Sequence, residues 1–255
     1  MSSQQEERIV SANVTVRGNG LEMQARVHVP LGPTRAADLL PLARSLSDAI
    51  VSHTCRAIAE AGAAISCKKG CGACCDNLVA ISEMEARRIR DVVESMPEPR
   101  RTEIRARFAA ALARLERADL LEKLRDAEHW NEADYQRLVG AYFAAGVPCP
   151  FLEEGSCSIY EERPITCREY LVTSPAENCA RLGSEGVDLV RLPLRVFNAV
   201  ARWQAAPPEH MMERVVPLIL ALEWADAHPD SSPAVPGLDL LRELLGHLSG
   251  QGEEG

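Results

Sequence analysis

Nine cysteines stand in this chain of 255 residues, and eight of them fall in two blocks. The first block, CKKGCGACC, places Cys67, Cys71, Cys74 and Cys75 at C-x3-C-x2-C-C spacing. The second, CPFLEEGSCSIYEERPITCREY, carries Cys149, Cys157 and Cys167, with Cys179 beyond it in SPAENCARL. Thiols so placed have four fates: disulfide pairing, burial as small apolar side chains, redox exchange, or ligation of a metal. Spacings of two and three residues let one turn aim several sulfurs at a common centre, as zinc and iron–sulfur sites require. Burial as filler explains neither the local density nor the separation into two groups. A disulfide framework belongs to an oxidising compartment, and an odd count leaves one thiol over from any complete pairing. The pattern points to metal ligation.

Gly70 and Gly72 flank Cys71, where the backbone must bend sharply. Cys74 and Cys75 are adjacent, and two neighbours seldom ligate one ion together. One of them therefore takes a second metal, bridges, or stays free. Four thiolates around Zn2+ leave negative charge uncompensated, and Lys68, Lys69, Arg163 and Arg168 are the basic neighbours placed to offset it. Zinc and an iron–sulfur cluster both stay open. Eight cysteines suit two closed zinc sites. A [4Fe–4S] cluster also takes four ligands, and Cys67-x3-Cys71-x2-Cys74 has the spacing of radical S-adenosylmethionine clusters. Such enzymes need repeated βα units, which this sequence lacks.

The elements that must position these thiols are mostly helical. Val10, Ala12, Val14 and Val16 alternate with polar residues, as do Leu21, Met23, Ala25, Val27 and Val29 after the turn GNG, so a β-hairpin opens the chain. Leu39, Leu42, Leu46 and Ile50 predict a helix over 35–62, with Pro41 in its first turn or at a kink. Ser82 and Glu85 form a capping box opening a helix to about Met96. A charged helical stretch over 100–127 follows, with Ile104, Phe108, Leu112, Leu115 and Leu124 on one face. Further helices are expected at 132–145, 194–205, 208–227 and 238–248. The expected fold is mainly α: a helical domain built around a cysteine-cluster metal site, with a small N-terminal β-hairpin. The hairpin takes residues 1–32 and the cysteine-cluster domain 33–182, with a helical insertion at about 76–146. C-terminal helices over 183–249 pack on the same domain, and 250–255 form a disordered tail.

Composition narrows the function. Hydrophobic residues at 46% and charged residues at 25% are ordinary for a globular chain. A formal charge of -9 disfavours nucleic acid and an anionic membrane surface, both of which need a basic face. No run approaches the roughly 20 apolar residues of a spanning helix. MSSQQEERIV has no apolar core of a secretory signal, so the cytoplasm is the expected compartment. No Ser-His-Asp order, phosphate-binding loop or dinucleotide glycine fingerprint is present. Cys55 and His53 read as structural groups of a helix, His210 as a capping or solvated group, and Trp203 and Trp224 as packing anchors. RRTEIRAR reads as a solvated helix face, while Tyr160 and Tyr170 pack near the cysteines.

CKKGCGACC, followed far downstream by C…C-x-I-Y-x-x-R-P-x-x-C-R-x-Y, resembles the bacterial cysteine-cluster proteins of the YkgJ type, a zinc- or iron-chelating CxxCxxCC family. The resemblance covers residues 64–82 and 147–172 and the span they enclose. It implies that Cys71, Cys74, Cys75, Cys149, Cys157 and Cys167 belong to a metal site. Cys67 joins them, and Cys179 is carried over on a looser match. A similar cysteine-rich domain occurs in flagellin lysine N-methylases. The expectation is a metal-binding protein that chelates zinc or an iron–sulfur cluster. The alternatives are an S-adenosylmethionine-dependent protein lysine methylase and a carrier that delivers its metal to a protein client.

Overall fold

The computed structural model describes residues 9–181, 186–203 and 215–250. Strands β1 (Ile9–Gly18) and β2 (Leu21–Pro30) form the antiparallel hairpin, in register from Ile9 opposite Pro30 to Gly18 opposite Leu21. Asn19 and Gly20, at φ 47° and 81°, supply the positive-φ pair that a tight hairpin turn needs. Alternation turns Val16, Leu21, Val27 and Val29 to the core and leaves Ser11, Asn13 and Gln24 outside. A short β3 (Pro33–Thr34) and a 3-10 turn lead into α1 (Leu40–Glu60), where Pro41 takes the first-turn position.

After the first cysteine block come β4 (Ala80–Ser82) and α2 (Glu83–Glu94). The capping box is formed: Glu85 N donates to Ser82 Oγ at 3.3 Å, and Ser82 N donates to the Glu85 carboxylate at 3.1 Å. The stretch expected as one charged helix is two, α3 (Arg100–Arg117) and α4 (Leu121–Arg125). Asp119 lies at φ 56°, and Leu120 N reaches back to Leu115 O at 3.0 Å. This is the left-handed helix stop that glycine usually makes. Helix α5 (Glu132–Ala145) has the expected bounds; Asn131 caps its start and Gly146 at φ 59° ends it.

The second cysteine block runs through a tiny hairpin, β5 (Leu152–Glu153) and β6 (Ser156–Cys157), then α6 (Ile165–Glu169). Helix α7 (Val196–Arg202) is shorter than expected. The helix expected over 208–227 is corrected: from Val215 the chain is a strand, β7 (Val215–Pro217), antiparallel to β4. Two β-branched residues and a proline favour extended backbone there. A 3-10 turn, Leu218–Leu220, then leads into α8 (Ala221–Ala227). Residues 204–214, with His210, and 251–255 lie outside the described residues. The chain closes with β8 (Val235–Pro236), which pairs with β3, and α9 (Gly237–Ser249).

Two apolar clusters result. One joins α2, α3, α4 and α5 through Ile89, Ile104, Phe108, Leu115 and Leu124 and takes in Phe151 and Ile159 of the second cysteine block. The other joins the hairpin, α1, α7 and α9 through Val29, Ile50, Val200, Leu240 and Leu244. The period of two in β7 sends Val215 into one cluster and Val216 into the other. Trp203 is buried, and Trp224 stacks on His228 at 4.4 Å. Among the described residues no helix is long and apolar enough to cross a membrane.

Candidate metal centre

The first cysteine block is a run of tight turns. Cys71 N donates to Lys68 O at 3.0 Å, Cys75 N to Gly72 O at 3.0 Å, and Asn77 N to Cys74 O at 3.2 Å. Gly70 takes φ 90° inside this run. Gly72 is required by proximity: a Cβ there would sit 2.5 Å from Leu152 Cδ1 and 2.6 Å from Gly155 O. The first block thus presses directly on the β5–β6 turn of the second. Backbone bonds join the two blocks along their length, from Cys149 N to Cys75 O at 2.8 Å and from Ser66 N to Val172 O at 2.9 Å.

Ion pairs and buried carboxylates fix the second block to the helices. Glu85 also accepts from Ile165 N at 2.7 Å, which sets the start of α6 and so the place of Cys167. Thr166 Oγ1 donates to Ala80 O at 2.7 Å. Glu162 is held by Arg88 of α2, at 3.1 and 2.9 Å, and by Arg44 of α1. Glu153, beside the β5–β6 turn, pairs with Arg100 and Arg107 of α3. Glu169 caps α7 by accepting from Val196 N at 2.6 Å; burial pushes its carboxyl up to about 7 against the pull of Arg195.

Six of the predicted thiols, Cys71, Cys74, Cys75, Cys149, Cys157 and Cys167, line one cavity of about 1050 Å3, together with Tyr160, Arg163 and Tyr170. Cys67 and Cys179 do not line it. They lie by Tyr170, and ionisation of Cys74 raises the cost of ionising either of them. Cys74 is the shared member, because Cys149, Cys157 and Cys167 feel it as well. Cys55 sits apart on α1, its thiol raised by burial alone.

Six of these thiols are pushed toward their protonated form. The hydrogen bond with Cys75, then burial, pushes Cys74 far up, and burial pushes Cys149 up to about 12. Burial likewise raises Cys67, Cys157, Cys167 and Cys179. A cation entering the centre must therefore displace protons. Among the described residues no three cysteine, histidine or acidic groups stand in a metal-holding arrangement. Six of the sulfurs nevertheless share one cavity.

The donor set fits a soft or borderline cation bound as thiolate. A second observation agrees: Arg163 Nε is buried beside the cavity with no acceptor. The expectation for the other basic neighbours needs correction. Arg168 turns away to Asp48 of α1 at 2.8 Å, Lys69 pairs with Glu161 at 3.0 Å, and Lys68 is exposed.

Residues 66–182 match the CxxCxxCC family model, described as "Putative zinc- or iron-chelating domain". The CxxCxxCC segment makes up a little under half of the chain. It contains all eight cysteines of the two blocks, whereas Cys55, the hairpin, α1 and α7–α9 lie outside it. No curated protein and no solved structure matches the chain.

Proposed function

We propose that this protein chelates zinc or an iron–sulfur cluster through Cys67, Cys71, Cys74, Cys75, Cys149, Cys157, Cys167 and Cys179. The observation that carries the reading is the convergence of six thiols from two distant blocks on one cavity. Zinc would supply a fixed cationic pin there, and an iron–sulfur cluster a one-electron couple. The chain's own residues supply sulfur lone pairs and release thiol protons. Phe151 and Ile159 shut out water on the helical side.

Anaerobic purification with elemental analysis and an absorption spectrum tests this. Stoichiometric zinc, or iron with sulfide and a brown colour, is the expected result; absence of both metals sinks it. Cys71→Ser and Cys167→Ser should lose the metal, while Cys55→Ser keeps it. Loss in Cys55→Ser alone would overturn the ligand set.

The cavity volume favours a second reading. At about 1050 Å3 it exceeds what an ion or cluster fills and reaches the upper range of small-molecule pockets, roughly 300–1,000 Å3. That suits an enzyme such as an S-adenosylmethionine-dependent lysine methylase, or a carrier whose centre is open to a protein client. Calorimetry of the metal-loaded chain with S-adenosylmethionine separates these: binding supports the methylase, and no heat at millimolar ligand removes it.

A further inference from the structure

Four basic residues flank the cysteines, and two already have carboxylate partners. Arg168 Nη1 reaches both Asp48 oxygens at 3.0 and 2.8 Å, and Lys69 Nζ reaches Glu161 at 3.0 Å. Lys68 is exposed. Arg163 differs on two counts: its Nε is buried without an acceptor, and it lines the cavity beside six thiols. Its guanidinium carbon also stands 4.1 Å over the Tyr160 ring, above which Lys69 Nζ lies at 5.0 Å. A buried donor without a partner is unfavourable and calls for a reason.

Local sequence explains how the guanidinium is aimed. Residues 160–162 form a 3-10 turn, which brings positions three apart onto one side, so Arg163 lies over Tyr160. Pro164 excludes helical backbone at the residue before it, and Arg163 is extended at φ -56°, ψ 143°. The side chain is thereby kept off the face of α6 and folded over the ring. Glu161 and Glu162 on the same turn pair outward, with Lys69 and with Arg88 and Arg44. Of the four basic residues only Arg163 lines the cavity; Arg191 and Arg195 line it as well, and Arg195 pairs with Glu169 at 3.4 Å.

We infer that Arg163, clamped on Tyr160, is the charge-balancing residue of the cysteine centre, its Nε–H donating to a cysteine sulfur once metal is bound. This rests on the chelation reading. When a thiol ligates, its S–H bond breaks, the proton leaves to solvent, and the sulfur pair goes to the metal. Arg163 gives up no proton, since guanidinium stays charged throughout. Arg163 is a positioning residue, acting through the sulfurs.

The test uses the full chain as wild type, Arg163→Gln, Arg163→Lys, Tyr160→Leu and Lys69→Gln. Each is loaded anaerobically with Co2+ for its thiolate-to-metal charge-transfer band, then with Zn2+ against a chromophoric chelator. Arg163→Gln should bind zinc roughly 10- to 100-fold more weakly and move the band to lower energy, because the cation no longer holds the sulfur electrons. Arg163→Lys should restore part of the affinity, Tyr160→Leu should fall between, and Lys69→Gln should match wild type. Circular dichroism of the metal-free chains guards against misfolding, and Arg163→Lys keeps the test alive if Arg163→Gln does not fold. Wild-type affinity and band position in Arg163→Gln would overturn the inference alone. So would weaker binding with an unmoved band and no rescue by lysine, the signature of a merely structural arginine. A wild type that takes up neither metal would bring down the chelation reading itself.

Discussion

The helical frame and the cysteine blocks are built on different physics. The α2–α5 frame closes on side chains that are completely buried, such as Ile104 and Leu115, and it is held by apolar area. The first cysteine block has no buried side chain and closes its turns with its own backbone bonds. The second, besides burying Phe151 and Ile165, is tied to the frame and α1 by Glu85, by Arg88 and Arg44, and by Arg100 and Arg107. A frame held by area tolerates any change that keeps its volume. A centre held by named partners tolerates no loss of one. The contrast therefore predicts where stability and metal binding can be separated.

The largest effect should come from the frame. Leu115→Ala removes a fully buried side chain and should cost about 2–5 kcal/mol in urea unfolding, yet leave metal per folded molecule unchanged. Metal loss from the folded fraction would show that the two regions cannot be separated. Glu85→Ala comes next and should affect both. It strips the acceptor from Ser82 N, Ser82 Oγ and Ile165 N, so about 1–3 kcal/mol of stability should go. Metal binding should weaken with it, because the start of α6 is no longer fixed. An unchanged metal affinity would deny the carboxylate its bridging role.

The smallest effect is electrostatic. Arg88, with Arg44, holds the Glu162 carboxyl down to about 2 from the ordinary 4.5. A depressed carboxyl contributes stability that is complete above the unfolded value and lost as pH falls from 4.5 toward 2. The carboxylate is one-third exposed, so screening leaves about 1 kcal/mol. Glu162→Gln should be that much less stable than wild type at neutral pH, and the gap should close in acid. A gap independent of pH would mean that shape, not charge, secures this turn.

Much of this was legible before any coordinates. Alternation around GNG, the Ser82–Glu85 box and the bounds of α5 are local signals, and local signals survive folding. The two cysteine blocks were legible as partners because their density has no other good explanation. What stayed hidden depends on tertiary direction. VVPLILALEWADAH is apolar enough for a helix, and only pairing with β4 makes Val215–Pro217 a strand. Asp119 ends α3 in a conformation more typical of glycine. Charge near the thiols suggested four basic residues alike, but sequence does not say which way a side chain points. Arg168 serves α1, Arg163 lines the cavity, and Arg191 and Arg195, which the sequence does not mark, line it too. Glu85 reads as a capping residue, with nothing to mark its second bond to Ile165.

The 2.8 Å bond from Cys149 N to Cys75 O also sets an order of events during synthesis. Cys149 follows Cys75 by 74 positions, and at ordinary elongation rates that length of chain takes roughly 4–15 s to make. For that interval the four thiols of the first block exist without Cys149, Cys157, Cys167 or Cys179. On the proposed ligand set a nascent chain can offer a metal only half of the thiols, so the six-thiol cavity is a product of late folding, after α2–α5 have been made and the second block has followed them.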